Sequence, residues 1–118
     1  MARIQASLPG AIRPRIVTVS TVAHGDTLVV QLRGEHDSSS LSTLAKTLAS
    51  AVALENTNLV VDLSEVQFIN AATIRVLTAA GEFMSGAGRT FALRSPSRSA
   101  RRILDLCDSR GLCEPEGT

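Results

Sequence analysis

The feature that most constrains the fold is a short, continuous apolar run in the middle of the chain, Leu59-Val60-Val61-Asp62-Leu63. Its hydrophobic residues do not alternate with polar ones. Such a run is typical of a central strand that is covered on both faces. Helical patterns precede and follow it, and strands separated by helices are typical of an α/β protein. We therefore expect a mostly parallel sheet.

The other patterns predict a hairpin, three helices and one further strand. The turn His24-Gly25-Asp26 separates two β-branched, apolar segments, which predicts an antiparallel hairpin at one side of the sheet. The predicted elements are strands over 16–22 and 27–33, a helix from 37 to 52, a strand over 59–63, a helix from 71 to about 85, a strand over 89–93 and a helix that opens at Ser95-Pro96. Residues 64–69 are expected to form a loop that can end in extended backbone. The order is β-β-α-β-α-β-α.

Each predicted helix has a candidate N-cap. Asp37, or one of the serines at 38–40, can cap the first helix, and Asn70 can cap the second. Ser95-Pro96 supplies an N-cap and a proline at the first helical position for the third. The apolar residues of the second helix spread over a wide face, so we expect this helix to be deeply buried.

The chain length predicts one folded domain. The 118 residues are enough to bury a core without disulfides or metals. We expect the domain to span residues 15–113. Residues 1–14 contain Pro9, Gly10 and Pro14 and are expected to form a loose arm, and residues 114–118 are expected to fray.

Composition argues against several classes of function. A net charge of +1 gives no electrostatic reason to bind nucleic acid or an anionic membrane. The chain has no Trp, no Tyr and only three Phe, which disfavours a base-stacking surface. No signal peptide or membrane-spanning run is visible, so we expect a cytoplasmic protein. With two His and few acidic clusters, we expect no metal site and no cofactor.

The two histidines do not form part of an acid–base constellation. His24 lies in the predicted hairpin turn and is expected to be exposed. His36 lies between Glu35 and Asp37, whose carboxylates would raise its pKa, and we expect it in a solvated loop before the first helix. No nucleophile, base and orienting group can be assembled, so we expect that the chain is not an enzyme.

Two stretches of the chain form a signature when they are read together. The stretch 60–73 contains Asp62-Leu63-Ser64, then a valine and a phenylalanine, then Asn70-Ala71-Ala72-Thr73 at a predicted helix start. This order resembles the central motif of STAS domains, the family of anti-sigma factor antagonists, which reads Asp-Leu-Ser, a valine, a phenylalanine and Asp-Ser-Ser/Thr-Gly. Gly34-Glu35-His36-Asp37 is similar to the family's Gly-Glu-x-Asp, and residues 95–106 resemble its last helix. The resemblance covers about residues 16–112.

The resemblance implies both a fold and a partner. The fold would be a mixed, mostly parallel sheet of four to five strands, with an N-terminal hairpin and helices mainly on one side. The protein would be a monomer or weak dimer that binds a serine-kinase-type anti-sigma factor and so releases a sigma factor for transcription. The implied contact residues are Asp37, Asn70, Ala71, Ala72, Thr73 and Ile74. The alternative is a STAS module in another assembly, such as the accessory subunit of a lipid-transporting ABC system.

The sequence departs from the family at the position where its members are phosphorylated. Ala71 occupies that position and has no hydroxyl group, so the usual switch cannot operate there. Thr73 is the nearest hydroxyl and an alternative acceptor, although a capping or solvated role is the simpler interpretation of this residue. Either the protein is a permanently docking-competent antagonist, or it serves a different partner.

Cys107 and Cys113 lie six residues apart on either side of Gly111. Cys107 is in phase with Ile103 and Leu104, which predicts a buried structural thiol. The alternative is a regulatory disulfide, which requires the chain to turn back and bring the two Cα atoms within about 7 Å.

Overall fold

The computed structural model describes residues 18–113, and its element order is the predicted one. The strands and helices are β1 (Thr18–His24), β2 (Thr27–His36), α1 (Leu41–Val52), β3 (Asn58–Ile69), α2 (Ala71–Gly86), β4 (Phe91–Arg94) and α3 (Arg98–Leu106). Short 3-10 turns at Ser38–Ser40 and Arg110–Leu112 precede α1 and follow α3. The predicted arm over 1–14 and tail over 114–118 lie outside the described residues.

The four strands form one mixed sheet in the order β1-β2-β3-β4. The hairpin strands β1 and β2 are antiparallel, from Thr18 opposite Arg33 to His24 opposite Thr27. β2 pairs in parallel with β3, and β3 in parallel with β4. The predicted hairpin and the mostly parallel sheet are therefore confirmed.

The hydrophobic core lies on one face of this sheet. Val30, Val61 and Leu93 are register partners on adjacent strands, and all three are fully buried. They belong to one apolar cluster with side chains of all three helices, including Leu44, Leu77 and Leu104. The helices thus pack on one side, as expected from the resemblance.

The central strand β3 was expected to be covered on both faces, but only its core face is fully covered. On the face opposite the core, Val60 is 9% exposed, while Val29, Gln31 and Asp62 are half-buried. Because the three helices share the other face, this side receives less cover than the continuous apolar run suggested. Within residues 18–113, no helix has both the length and the apolar character that crossing a membrane would require.

The prediction of a loop at 64–69 is wrong, since β3 continues through these residues to Ile69. Beyond Leu63 its buried residues are Val66 and Ile69, which are spaced by three instead of two. The pairing of β2 with β3 shifts register between Gln31 and Arg33 and again between Gly34 and Glu35. Such irregularities break the alternation by which a strand is recognised in a sequence.

Two predictions about the later helices also need correction. The N-cap of α3 is Ser97, not Ser95, which has a positive φ of 50°. Ser97 Oγ accepts from Ala100 N at 3.1 Å and donates to Val66 O at 2.7 Å, so this cap also attaches α3 to β3. The helix α2 is buried along one face only, because Phe83 on its outer side is 57% exposed.

Arg89 joins three parts of the fold through its guanidinium group. Nε donates to Thr57 O at 2.9 Å, and Nη2 donates to Val52 O at 2.9 Å and contacts Met84 Sδ at 3.0 Å. The half-buried side chain thereby satisfies carbonyl groups at the end of α1 and in the following loop.

Replacement of Arg89 should therefore destabilise the domain more than replacement of an exposed arginine. We expect Arg89→Met to lower the free energy of unfolding by about 1–3 kcal/mol, because it leaves two part-buried carbonyls without a donor. Urea denaturation measures the change. The matched control, Arg102→Met on the exposed side of α3, should change it by less than about 0.5 kcal/mol. Equal effects of the two variants would contradict the role of Arg89.

Candidate functional site

The two signature segments meet where β2 and β3 end. His36 and Ile69 are register partners at the ends of these parallel strands, so the residues that follow them lie side by side. Asn70 N donates to the carbonyl oxygen of His36 at 3.1 Å, which joins the segments directly. Asp37 and Asn70 therefore belong to one surface, although they are far apart in the chain.

Asn70 is the N-cap of α2, as predicted. Its Oδ1 accepts from the backbone N of Thr73 at 2.9 Å and from Thr73 Oγ1 at 2.8 Å. The side chain thus satisfies a backbone donor that a helix start leaves without a partner. Ala71, the first helical residue, is exposed, and Ala72 is half-buried. The start of α2 consequently presents small, uncharged side chains on a rigid backbone.

Two of the residues expected to contact a partner lie beneath this surface. Thr73 is 0% exposed and Ile74 is 1% exposed. Besides donating to Asn70, Thr73 Oγ1 lies 3.4 Å from the carbonyl oxygen of His36. The accessible part of the candidate site is thus formed by Asp37, Asn70, Ala71 and Ala72, which we call the docking surface.

Asp37 combines a capping role with partial exposure. Its Oδ1 accepts from Ser39 N at 2.9 Å and from Ser39 Oγ at 2.6 Å, so Asp37 caps the 3-10 turn Ser38–Ser40 that leads into α1. The N-cap of α1 itself is Ser40, whose side chain makes no capping bond. The residue is half-buried and stands beside Asn70. It is the acidic residue of the docking surface, so it can offer a partner a negatively charged contact at the edge of an otherwise neutral patch.

The expectation that His36 lies in a solvated loop is wrong. It is the last residue of β2 and is 0% exposed. Burial lowers its pKa, and the nearby backbone carbonyls and the Asp37 carboxylate only partly oppose this effect. The sequence suggested that the flanking carboxylates raise the pKa of His36, but the effect of burial is larger and the pKa is lowered. His24, at the end of β1, is exposed as expected.

The imidazole of His36 makes two hydrogen bonds that determine its tautomer. Nε2 lies 3.0 Å from Arg33 O, which can only accept, so Nε2 carries the hydrogen. In the neutral ring, Nδ1 then accepts from Ser40 Oγ at 3.1 Å. The side chain thus holds the start of α1, while the carbonyl group of the same residue holds the start of α2.

Phe68 is a surface residue that the sequence reasoning did not assign to the site. It lies two residues before Asn70 and is 45% exposed, although it is a large apolar side chain. Its place in the signature was visible in the sequence, but its orientation depends on the register shift that precedes it. Phe68 thus adds an exposed, uncharged side chain at the end of β3, next to the docking surface in the sequence.

A groove of about 430 Å³ runs from Ala71 along the outer side of α2 to the end of α3. It is lined by Ala71, Ile74, Arg75, Thr78, Ala79, Glu82, Cys107 and Ser109. Cys107 and Cys113 are both half-buried and pack against the core, and both are free thiols. The disulfide, which was the alternative to structural thiols, is not formed in this structure. Among the described residues, no cluster of three His, Cys, Asp or Glu side chains could hold a metal ion.

The comparison with family models assigns the chain to a family. The model described as "Mlab, STAS domain" matches residues 19–114, which is most of the chain. The chain therefore belongs to the STAS domain family. The resemblance noted in the signature segments is thereby confirmed.

Individual relatives agree with this assignment. The anti-sigma-F factor antagonist RsfB of Mycobacterium tuberculosis is 32% identical over 69 residues, which are 58% of this chain and 57% of that protein. The match thus spans little more than half of the relative's length. An anti-sigma factor antagonist from Mycobacterium paratuberculosis has a similar structure, with a TM-score of 0.78, 25% identity and 90% of each chain covered.

A third comparison bears on the fold alone. The Bacillus cell fate determinant SpoIIAA in its phosphorylated form superposes with a TM-score of 0.66 at 12% identity, over 84% of this chain and 89% of that one. The arrangement of sheet and helices is thus shared with a protein that is phosphorylated.

Burial of His36 should make the stability of the domain depend on pH. An unfolded histidine has a pKa of about 6.5, and the folded value lies lower, so the unfolded chain binds a proton more readily. Stability contributed by neutral His36 is complete above about pH 6.5 and is lost as the pH falls below it, by at most about 1.4 kcal/mol per pH unit. Chemical denaturation between about pH 5 and pH 8 measures this slope.

Two variants distinguish the contribution of His36 to the slope of stability against pH from the contributions of other titrating groups. His36→Gln keeps a hydrogen-bonding side chain that does not titrate, so it should flatten the slope. His24→Gln removes the exposed histidine but keeps His36, so the slope should remain. An unchanged slope in His36→Gln would show that His36 is not the responsible group.

Burial of Thr73 should protect its hydroxyl from kinases. Because Thr73 is 0% exposed and its Oγ1 is hydrogen-bonded to Asn70, we expect no phosphate on it after incubation of the folded protein with ATP and a candidate kinase. Mass spectrometry of proteolytic fragments measures the modification. Stoichiometric phosphate on Thr73 in the folded protein would show that the start of α2 opens.

Proposed function

We propose that this chain is an anti-sigma factor antagonist that binds a serine-kinase-type anti-sigma factor through the docking surface. The observation that carries the proposal is the exposed pair of alanines at the capped start of α2, beside Asp37. Relatives that are named anti-sigma factor antagonists support it. Binding would remove the anti-sigma factor from its sigma factor, which is then free for transcription in the cytoplasm.

The shape of the docking surface suits close approach by another protein. Side chains no larger than a methyl group let a partner approach the backbone of the first turn. That backbone does not rearrange easily, because Asn70 is bonded both to Thr73 and to the carbonyl group of His36. A rigid surface loses little conformational entropy when it binds, which favours affinity.

The same surface supports docking without a covalent switch at residue 71. Phosphorylation needs an exposed hydroxyl, and Ala71 is exposed but has none. Thr73 has a hydroxyl, but it is buried. A phosphate would add about −1.5 to −2 charges at pH 7 at a helix start whose exposed side chains are small and uncharged. We therefore propose an antagonist that remains competent for docking.

A catalytic role is not supported by the placement of the two histidines. Both ring nitrogens of His36 are engaged inside the fold, and His24 is exposed at the end of β1 that lies away from the docking surface. The docking surface itself offers no nucleophile with a base beside it. The geometry thus favours a binding module.

The Ala71→Glu variant tests the docking surface. Glutamate at the first helical position adds bulk and negative charge to the surface, but the helix macrodipole favours a negative charge there, so the fold should be retained. We expect the affinity for the cognate anti-sigma factor to fall at least about tenfold, which corresponds to about 1.4 kcal/mol. Isothermal titration calorimetry measures the affinity, and urea denaturation the stability.

The control variant, Ala87→Glu, places the same side chain at the exposed C-cap of α2, about 24 Å from its start. It should leave the affinity unchanged. Equal affinity of both variants would refute the docking surface. If the unmodified chain binds no anti-sigma factor but co-purifies with a transporter ATPase, the family's other kind of assembly is the correct function.

A further inference from the structure

The outer edge of the sheet on the hairpin side is formed by β1. All seven of its residues pair with β2 without a register shift. The strand order places β1 at the end of the sheet, so in the described part of the chain no strand lies on its other side. Its outward backbone N–H and C=O groups are therefore available to another strand.

This edge lacks the features by which sheets usually prevent pairing with other chains. Such features are lysine or other charges, proline, bulges and very short strands. The sequence of β1, Thr-Val-Ser-Thr-Val-Ala-His, contains no Lys, Arg, Asp, Glu or Pro, and six of its seven residues are exposed. Val22 is 54% exposed although it is apolar. The strand is regular, uncharged and open.

The opposite edge shows the contrast within the same molecule. β4 has only four residues, from Phe91 to Arg94. It is followed by Ser95 in a left-handed conformation and by Pro96, and Cys113 bridges to Leu93 beside it. Within residues 18–113, the β1 edge is thus the one that is open along its described length.

The groove beside the open edge is lined by uncharged residues as well. A groove of about 430 Å³ lies between β1 and α1, and Leu54 at its rim is 49% exposed. Its lining residues, none of which carries a charge, are Val19, Thr21, Leu28, Thr47, Ser50, Ala51 and Leu54. The uncharged surface of β1 therefore continues onto the side of α1 that faces β1.

We propose that β1 pairs with β1 of a second copy of this chain, antiparallel and around a two-fold axis at Thr21. The two sheets then form one continuous sheet of eight strands. A two-fold axis perpendicular to the sheet keeps the helices of both copies on the same side, so the two grooves beside α1 meet and close each other. The inference does not depend on the proposed function.

The register follows from the chemistry of the described part of β1. Centring the pair on Thr21 lets each of the seven described residues face a residue of the second copy. It places Thr21 opposite Thr21, Ser20 opposite Val22 and Val19 opposite Ala23. Threonine pairs and apolar pairs are favourable across antiparallel strands, and no like charges oppose each other.

A second copy fits this edge better than an unrelated strand. The described residues of β1 offer no charged side chain and no register shift that would select the strand of another protein. An uncharged strand with a central threonine is complementary to itself, which is what a two-fold contact requires. None of the docking-surface residues lies on β1, and the two docking surfaces of the dimer would lie at opposite ends of the joined sheet.

Charge substitutions at Thr21 test both the interface and its register. Thr21 is exposed, so Lys or Glu should be tolerated by the folded monomer. In the dimer, Thr21→Lys places two lysines opposite each other on the axis, and Thr21→Glu does the same with two carboxylates. We expect sedimentation velocity to give a dimer of the 12.4 kDa chain for the unmodified protein and a dissociation constant raised at least about tenfold for each variant.

An equimolar mixture of the two variants should restore dimers, because Lys then faces Glu across the axis. Thr90→Lys, at another exposed threonine just before β4, should leave dimerisation unchanged. Circular dichroism checks that every variant is folded. A monomeric unmodified chain at concentrations up to about 1 mM, a persistent dimer in Thr21→Lys, or a mixture that stays monomeric would each overturn the proposal.

Discussion

The candidate site depends on the end of β2, where one buried residue joins three segments. The carbonyl oxygen of His36 accepts from Asn70 N and lies 3.4 Å from Thr73 Oγ1, while its imidazole lies between Arg33 O and Ser40 Oγ. The starts of α1 and α2 are thereby held at fixed positions relative to each other. Two exposed segments that are distant in the chain can form one rigid surface because a residue beneath them bonds to both.

Much of this arrangement could be predicted from the sequence, because the signals involved are local. Helical spacing and capping side chains predicted α1 and α2, and Asn70 caps α2 as its side-chain chemistry suggests. The remainder depends on contacts between segments. The end of β3 was missed because register shifts hide its alternation, and burial of His36 was missed because it depends on how Ser40 and Arg33 surround it. The sequence predicted Ser95 as the N-cap of α3. The observed N-cap is Ser97, whose hydroxyl also bonds to β3, a contact between segments that the local pattern does not reveal.

The proposed docking surface shows that the shape of a helix start and its chemistry can vary independently. The cap, the buried threonine and the exposed first helical position depend on backbone geometry that does not need a serine at residue 71. Alanine leaves that geometry intact and removes one oxygen atom. Recognition of shape and susceptibility to modification are thus separable properties of the same helix start.

The missing hydroxyl at residue 71 has a consequence for how an antagonist of this kind would be controlled. Residue 71 cannot be phosphorylated, so the amount of active protein would depend on its synthesis, its turnover and its competitors. Such a component acts by titration, and its effect rises steeply once its copy number exceeds that of its partner. The threshold of the response is then determined by the ratio of antagonist molecules to partner molecules.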